Sequence, residues 1–304
     1  MKEIYELNDL RRLMDEEGET APPTRLGVLG DPVAHSLSPE MQNAALKDCG
    51  LDLRYAAFRI TPKDLKEAFE LLQQLEFVGI NLTVPHKIAA FSLVDEVDER
   101  ARRIGAINTV AFRAGKSMGR NTDGPAFARA IREEFSVDLR DLRVLLLGAG
   151  GAGRAVAWQC AFENCERLVL VNRTFEKAQA LAHELGSYFS GPRVLGPEAR
   201  LEAVPWNDAA LRQQVGRTDL VVNATTLGLK HSDPAVLPCS LLAPHLMIYD
   251  LIYRNTALLA AAQQSGARGA NGLTMLLHQG ALAFELWFDR PAPRSAMKVA
   301  LANL

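Results

Sequence analysis

An excess of charge of either sign is missing from this 304-residue chain: 34 Lys and Arg stand against 36 Asp and Glu, a formal net charge of −2. Without a basic balance there is no electrostatic footprint for DNA or RNA, and an anionic membrane surface is no better a partner. Long apolar runs are missing too, so no segment is expected to span a bilayer. The first 20 residues are rich in Glu, Asp and Arg and carry no apolar core, which argues against a signal peptide. Cysteine is scarce. Cys49, Cys160, Cys165 and Cys239 are scattered without paired ligand spacing, so free thiols in a reducing cytoplasm are the simplest account and no metal site is assigned.

What the chain does have is length and alternation. It exceeds one average domain, and short apolar runs alternate with helical stretches, which implies two α/β domains with mainly parallel sheets and a cleft between them. In the first half, Leu26–Leu29, Tyr55–Ile60 and Val78–Val84 read as strands, with helices near Met41–Lys47 and Leu65–Leu75. Ser38-Pro39 and Thr61-Pro62 look like helix caps followed by first-turn prolines. A second series runs through Arg143–Leu147, Leu168–Val171, Asp219–Asn223 and Met247–Leu251, ending near Gly272. The helical pattern from Thr274 to Phe288 is expected to return to the first domain. The expected domains are therefore 23–124 with 273–304, and 125–272, while residues 1–22, ending at Pro22-Pro23, read as an appended helix or arm.

The most specific motif follows the strand Arg143–Leu147: Gly148-Ala149-Gly150-Gly151-Ala152-Gly153, and then a helix over Arg154–Phe162. In such a loop Gly148 permits the turn, Gly150 lets the backbone approach a pyrophosphate, and Gly153 allows close packing of helix on strand, with phosphate at the helix N-terminus. A purely structural turn is the duller alternative. The next strand ends in Asn172-Arg173-Thr174, where an NAD site usually places an acidic residue for the ribose hydroxyls. No carboxylate stands there. Arg173 can stack on adenine and meet a 2′-phosphate, Thr174 can donate to it and Lys177 adds a second cation, so NADP is expected over NAD. The plainer alternative, that Arg173 and Lys177 are only solvated residues at a helix start, is weakened by the missing acid.

Upstream lie two further segments, Asn81-Leu82-Thr83-Val84-Pro85-His86-Lys87 and Asn121-Thr122-Asp123-Gly124, followed in importance by His35-Ser36-Leu37-Ser38-Pro39, Gly105-Ala106-Ile107-Asn108-Thr109, Asn223-Ala224-Thr225-Thr226 and Gln279. Together with the glycine loop and Asn172-Arg173-Thr174, in this order, they make the chain from about Leu26 onward resemble the shikimate/quinate dehydrogenase family. The resemblance implies NADP-dependent reduction of 3-dehydroshikimate to shikimate in aromatic amino-acid biosynthesis. It implies Lys87 and Asp123 as catalytic groups and Ser36 and Ser38 on the substrate carboxylate. Asn81, Thr83, Asn108, Asp123 and Gln279 would meet ring hydroxyls, and Tyr253 would close over the substrate. Thr225, Gly272 and Met275 would join the glycine loop, Asn172, Arg173, Thr174 and Lys177 around the coenzyme.

The chemistry suits those residues. Neutral donors and acceptors recognise a small polyhydroxylated acid, and ketone reduction needs a positioned proton donor, for which a lysine ammonium beside a carboxylate serves. Each residue also has a plainer explanation: Ser38 as a cap, Asp123 as a turn or cap residue, Asn81 and Thr83 as cross-strand bonds on one strand face, Gln279 as a buried satisfied amide, Tyr253 as packing. His86 is expected to point away from Lys87. Gln42, where the family commonly has histidine, and Asn271-Gly272-Leu273-Thr274-Met275 depart from the family pattern. Thr274 bears on coenzyme orientation. A quinate or dual-specificity dehydrogenase and a catalytically silent NADP sensor remain as alternatives, and either a monomer or a homodimer is open.

Overall fold

The computed structural model describes residues 4–15, 23–190 and 199–303. Its strands in chain order are β1 (Ile4–Glu6), β2 (Thr24–Gly30), β3 (Arg54–Arg59), β4 (Gly79–Leu82), β5 (Glu96–Val97), β6 (Thr109–Arg113), β7 (Lys116–Arg120), β8 (Arg143–Leu147), β9 (Arg167–Val171), β10 (Leu201–Val204), β11 (Leu220–Asn223), β12 (Met247–Asp250) and β13 (Arg268–Ala270). The helices are α1 (Leu7–Asp15), α2 (Ser38–Asp48), α3 (Leu65–Gln74), α4 (His86–Ala89), α5 (Glu99–Ile104), α6 (Asp123–Phe135), α7 (Gly151–Phe162), α8 (Phe175–Leu185), α9 (Asp208–Val215), α10 (Ala257–Gln264), α11 (Leu273–Phe288) and α12 (Arg294–Ala302). They divide into two compact units, Met1–Thr122 with Leu276–Leu304, and Asp123–Met275.

The first unit holds a seven-stranded sheet in the order β1-β3-β2-β4-β6-β7-β5. Strands β1 to β4 pair in parallel, as the alternation of strand and helix predicts, but β6 runs antiparallel to both β4 and β7. The β6–β7 hairpin is closed by Ala114 and Gly115, both at positive φ. Its Ala-Gly turn carries no strong hairpin signal, which is why the sequence reading passes over it. Leu29, Phe58, Ile60, Phe69, Leu72, Phe77 and Ile80 form the core on one face of the sheet. Burying each such side chain contributes about 1.5–3 kcal/mol.

The N-terminal segment is not an appended arm. Strand β1 pairs with β3 through Ile4–Ala57, Tyr5–Phe58 and Glu6–Arg59, and Leu10 of α1 is fully buried in the core around Phe69 and Leu72. Arg11 bonds to Glu67 of α3 at 2.7 Å, and Arg54 donates to the Tyr5 hydroxyl at 2.8 Å. Residues 16–22, between α1 and β2, lie outside the described residues.

The second unit is a six-stranded, wholly parallel sheet, β10-β9-β8-β11-β12-β13. Its central strands are apolar on both faces, as a sheet covered by helices on both sides requires. Leu145, Leu147, Val169, Val171, Val221 and Ile248 are all buried. The order reverses between β8 and β11, so the loops after these strands diverge and leave the crevice in which doubly wound sheets bind ligands.

Since Leu10 packs in the core, Leu10→Ala is expected to cost about 2–5 kcal/mol, by lost burial and the cavity left behind. Chemical denaturation followed by circular dichroism reads this directly; a loss below about 0.5 kcal/mol, the range of surface changes, would mean that the segment does not belong to the core.

Candidate active site

Strand direction decides where the substrate-side residues emerge. Because β2 and β4 are adjacent and parallel, their C-terminal ends lie at one edge of the sheet, and from that edge issue Ser36–Ser38 and the Thr83–Lys87 turn. Strand β6 is antiparallel to β4 with Thr109 opposite Asn81, so Asn108 enters at the same edge. Strand β7 returns antiparallel to β6 and delivers Asn121 and Thr122 there as well.

Backbone and side-chain bonds then stitch these segments together. Leu82 N–H donates to the Asn108 carbonyl at 2.8 Å and Ile107 N–H to the Lys87 carbonyl at 2.9 Å. The buried Asn81 carboxamide accepts from the Tyr55 hydroxyl at 2.8 Å and donates to the Asn108 carbonyl at 3.2 Å and to Thr109 Oγ1 at 3.0 Å. Asn108 Oδ1 accepts from Thr122 N–H at 2.8 Å and Thr109 Oγ1 at 3.0 Å, and Asn108 Nδ2 donates to Thr122 Oγ1 at 2.9 Å. A buried polar network so fully connected fixes one geometry. Tyr55, Thr109 and Thr122 belong to it, although only the buried period of β3 and the polar start of β6 hint at them in the sequence.

Several expectations need correction. Ser38 is not a cap: Leu37 holds the N-cap position of α2, Ser38 is its first helical residue, and no side-chain capping bond forms. The Ser38 N–H instead donates to Ser36 Oγ at 3.3 Å. The proline at the second helical position shifts the start by one residue. Thr61 does precede a helical turn, but its hydroxyl donates to Asp64 Oδ2 at 2.6 Å rather than accepting from the backbone. Thr83 lies beyond the end of β4, so it does not share a strand face with Asn81; its N–H still bonds to the Leu29 carbonyl at 2.9 Å.

Gln279 is buried in α11, with Nε2 donating to the Leu276 carbonyl at 3.0 Å. One residue on, the Gly280 carbonyl accepts from Gln42 Nε2 at 3.0 Å, which ties α2 to α11. Lys87 sits half-buried in the short helix α4. Its neighbour His86 turns inward, 1% exposed, with Nε2 2.7 Å from the Ile60 carbonyl, so Nε2 carries the proton.

In the second unit the coenzyme loops and Tyr253 lie after the C-terminal ends of parallel strands: the glycine loop after β8, Asn172–Thr174 after β9, Thr225 after β11, Tyr253 after β12 and Gly272 after β13. Gly148 adopts φ +106°, and a Cβ at Gly153 would stand 2.1 Å from the Gly148 carbonyl oxygen, so neither position tolerates a side chain. A Cβ at Gly150 would meet nothing within 4 Å. That open face, at the N-terminus of α7, which begins at Gly151 and continues with Ala152, is the cradle a pyrophosphate requires, and the residues present fit a dinucleotide.

Asn172 Oδ1 accepts from Ala149 N–H at 3.0 Å and its Nδ2 donates to the Thr174 carbonyl at 2.8 Å, which fastens the β9 loop to the glycine loop. Arg173, Thr174 and Lys177 are exposed, and Thr174, the N-cap of α8, makes no side-chain capping bond. Gly272 N–H donates to the Ile252 carbonyl at 3.0 Å and Met275 N–H to the Tyr249 hydroxyl at 3.2 Å. The Thr274 hydroxyl is occupied by Glu134.

Asp123 is the first residue of α6 and is buried. A carboxylate there is favoured by the helix dipole. Tyr253 keeps 39% of its surface exposed, yet its phenol is pushed up to about 12, by desolvation first and by the Asp123 carboxylate second. The desolvation reflects the density of protein around the ring, and the phenol remains a neutral hydrogen-bond donor at physiological pH. Among the described residues no group of acidic, histidine and cysteine side chains could hold a metal ion, and no helix is long and apolar enough to cross a membrane.

Comparison with known proteins agrees with this arrangement. Residues 28–110 match the model of a shikimate dehydrogenase substrate binding domain, 129–194 that of shikimate / quinate 5-dehydrogenase, and 272–301 that of a shikimate 5′-dehydrogenase C-terminal domain. A shikimate dehydrogenase (NADP(+)) of Methanopyrus kandleri is 41% identical over 280 residues, covering 91% of this chain and 94% of the relative. The crystal structure of shikimate 5-dehydrogenase from Thermus thermophilus in complex with NADP(H) and shikimate superposes with a TM-score of 0.80 at 38% identity, covering 92% of this chain and 99% of that one. Quinate dehydrogenase from Corynebacterium glutamicum in complex with NAD reaches the same TM-score of 0.80 at 30% identity, covering 93% and 100%.

His86 gives the first unit a pH dependence. Burial, the largest influence, holds its pKa below the ordinary 6.5 against the raising effects of the Ile60 bond and Asp31. The unfolded chain therefore binds more protons in the window between 6.5 and the lower folded value, so stability is full above that window and falls as pH drops through it. The expected slope, at most about 1.4 kcal/mol per pH unit, should flatten in His86→Gln when denaturation midpoints are compared between neutral and mildly acidic buffers. An unchanged slope would assign the effect to other groups.

Proposed function

The chain belongs to the shikimate dehydrogenase family, and we infer that it catalyses the reversible NADP-dependent reduction of 3-dehydroshikimate to shikimate, a step of aromatic amino-acid biosynthesis. The observation that carries the coenzyme side is the open glycine cradle at Gly150 beside a β9 loop that offers Arg173, Thr174 and Lys177 and no carboxylate. A 2′-phosphate fits a guanidinium, a hydroxyl and an ammonium, whereas a ribose diol would want an acidic acceptor. The quinate reading is not favoured, since the same loop weighs against an NAD-using enzyme.

Lys87 and Asp123 are proposed as the catalytic pair. Bound NADPH supplies the hydride that reduces the ring carbon. As the ketone oxygen takes on negative charge, the Lys87 ammonium stabilises it electrostatically and donates the proton it needs. The Asp123 carboxylate is proposed to orient that ammonium, and in the reverse direction the pair together accepts the proton.

Ser36 and Ser38 are proposed to hold the substrate carboxylate, and Thr83, Asn108 and Gln279 the ring hydroxyls. Asn81 has both amide hydrogens committed to Asn108 and Thr109, so toward a substrate it acts through the remaining lone pair of Oδ1 as an acceptor. Tyr253, a neutral donor, is proposed to close over the substrate. The four cysteines are free thiols, which supports the cytoplasmic location proposed with this activity.

Steady-state kinetics with shikimate and quinate, each with NADP and with NAD, tests the reading; turnover of shikimate with NADP should dominate, and preference for quinate with NAD would overturn it. Lys87→Ala is expected to lower turnover by about two to four orders of magnitude while leaving coenzyme affinity nearly intact, and a variant with normal turnover would remove Lys87 from the mechanism. Arg173→Ala should raise KM for NADP far more than for NAD; equal effects on both coenzymes would show that the phosphate is read elsewhere.

A further inference from the structure

The loops that follow β11 and β12 are built as one body. At the end of β11, Asn223 Oδ1 accepts from Thr225 N–H at 3.1 Å and from Thr225 Oγ1 at 2.7 Å, which fixes the orientation of the Thr225 side chain. The other end of the same carboxamide, Nδ2, donates to Asp250 Oδ1 at 3.0 Å, at the end of β12. Asp250 is fully buried, and the same Oδ1 accepts from Ile252 N–H at 3.1 Å, one residue before Tyr253. Its Oδ2 accepts from Thr256 Oγ1 at 2.7 Å, and Thr256 caps α10 by accepting from Leu259 N–H.

A second tie lies outside this chain of bonds. The Arg254 guanidinium donates to the Gly228 carbonyl, and Gly228, at φ +106°, passes so close to Ile252 and Thr256 that a Cβ there would stand 3.0 Å and 3.1 Å from their side chains. The Thr225–Gly228 loop and the Leu251–Thr256 loop thus share a buried carboxylate, a buried carboxamide, a guanidinium bridge and a packed contact. Neither can reorient without unpairing buried polar atoms, whose desolvation would then go uncompensated.

We propose that Asp250, through Asn223, is the positioning residue that links the coenzyme loop at Thr225 to the substrate-closing Tyr253, so that NADP(H) and shikimate bind with positive coupling. This rests on the functional reading above, in which Thr225 faces the coenzyme and Tyr253 the substrate. A coenzyme that orders Thr225 orders Asn223, and with it the Asp250 carboxylate that holds Ile252 N–H and sets the course of the chain into Tyr253. By linkage, shikimate must then favour the coenzyme by the same factor. Asp250 touches neither ligand; it acts through the geometry of two residues that do.

Titration of shikimate into the full chain, with and without saturating NADPH, measures the coupling, because shikimate and NADPH are both reduced and cannot react together. The unaltered chain is expected to bind shikimate about fivefold or more tighter when NADPH is present. Asp250→Ala should bring that ratio close to one, whereas Asp250→Asn, which keeps an acceptor oxygen for Asn223 and Ile252, should retain most of it. A merely structural role would lower stability in both variants without separating their ratios.

Full coupling in Asp250→Ala, or its equal loss in both variants, overturns the proposal. Should Asp250→Ala fail to fold, Arg254→Ala, which removes the guanidinium bridge, is expected to lower the ratio at least about twofold, and an unchanged ratio there overturns it as well. Binding of both ligands without coupling in the unaltered chain refutes the link alone. Binding of neither refutes the functional reading and the link with it.

Discussion

Strand pairing, most of it parallel, is the constraint from which the placement of most candidate residues follows. Strands that run the same way in close register end together, so the loops after β2 and β4, and separately those after β8, β9, β11, β12 and β13, are delivered to a common edge without any side chain having to draw them there. The two antiparallel strands of the first unit extend the principle. Because β6 reverses direction, its start rather than its end lies at the functional edge, and Asn108 and Thr109 arrive beside Asn81. A sheet of buried apolar strands thus carries its polar chemistry at or near the strand ends, where partners from neighbouring loops can satisfy it.

Much of this was legible in the sequence because the signals were local. The glycine loop specifies its own turn and its own close contact, and the structure gives Gly148 and Gly153 the strained and crowded positions that only glycine fills. The apolar runs of the second unit marked β8, β9, β11 and β12 within a residue, since strands buried on both faces read as continuous hydrophobic stretches, whereas the edge strands β10 and β13 went unread. The missing carboxylate after Val171 was equally visible, as a substitution at one fixed distance from the glycine loop.

What escaped the sequence reading was of longer range. The role of Ser38 turned on a single residue of helix phase, which the Ser-Pro pair leaves open. Tyr55, Asn81, Thr109 and Thr122 lie far apart along the chain yet share one network, and nothing in the spacing of hydroxyl and amide residues announces partners that only sheet register brings together. Asp250 carries no signal of its own in the sequence. Its three donors come from the strand beside it, the turn after it and the cap of the next helix, so its importance lies wholly in tertiary contact.

The first strand of the chain bears on where this protein begins as a folding unit. The match to the substrate binding domain starts at residue 28, and a boundary drawn there would discard Ile4–Glu6 and the helix behind it. That cut would strip the hydrogen-bonding partner from Ala57, Phe58 and Arg59, uncover the aromatic ring of Phe58 from Tyr5, and leave a six-residue, largely apolar margin open to whatever backbone came near. The edge of the matched stretch is not the edge of the sheet.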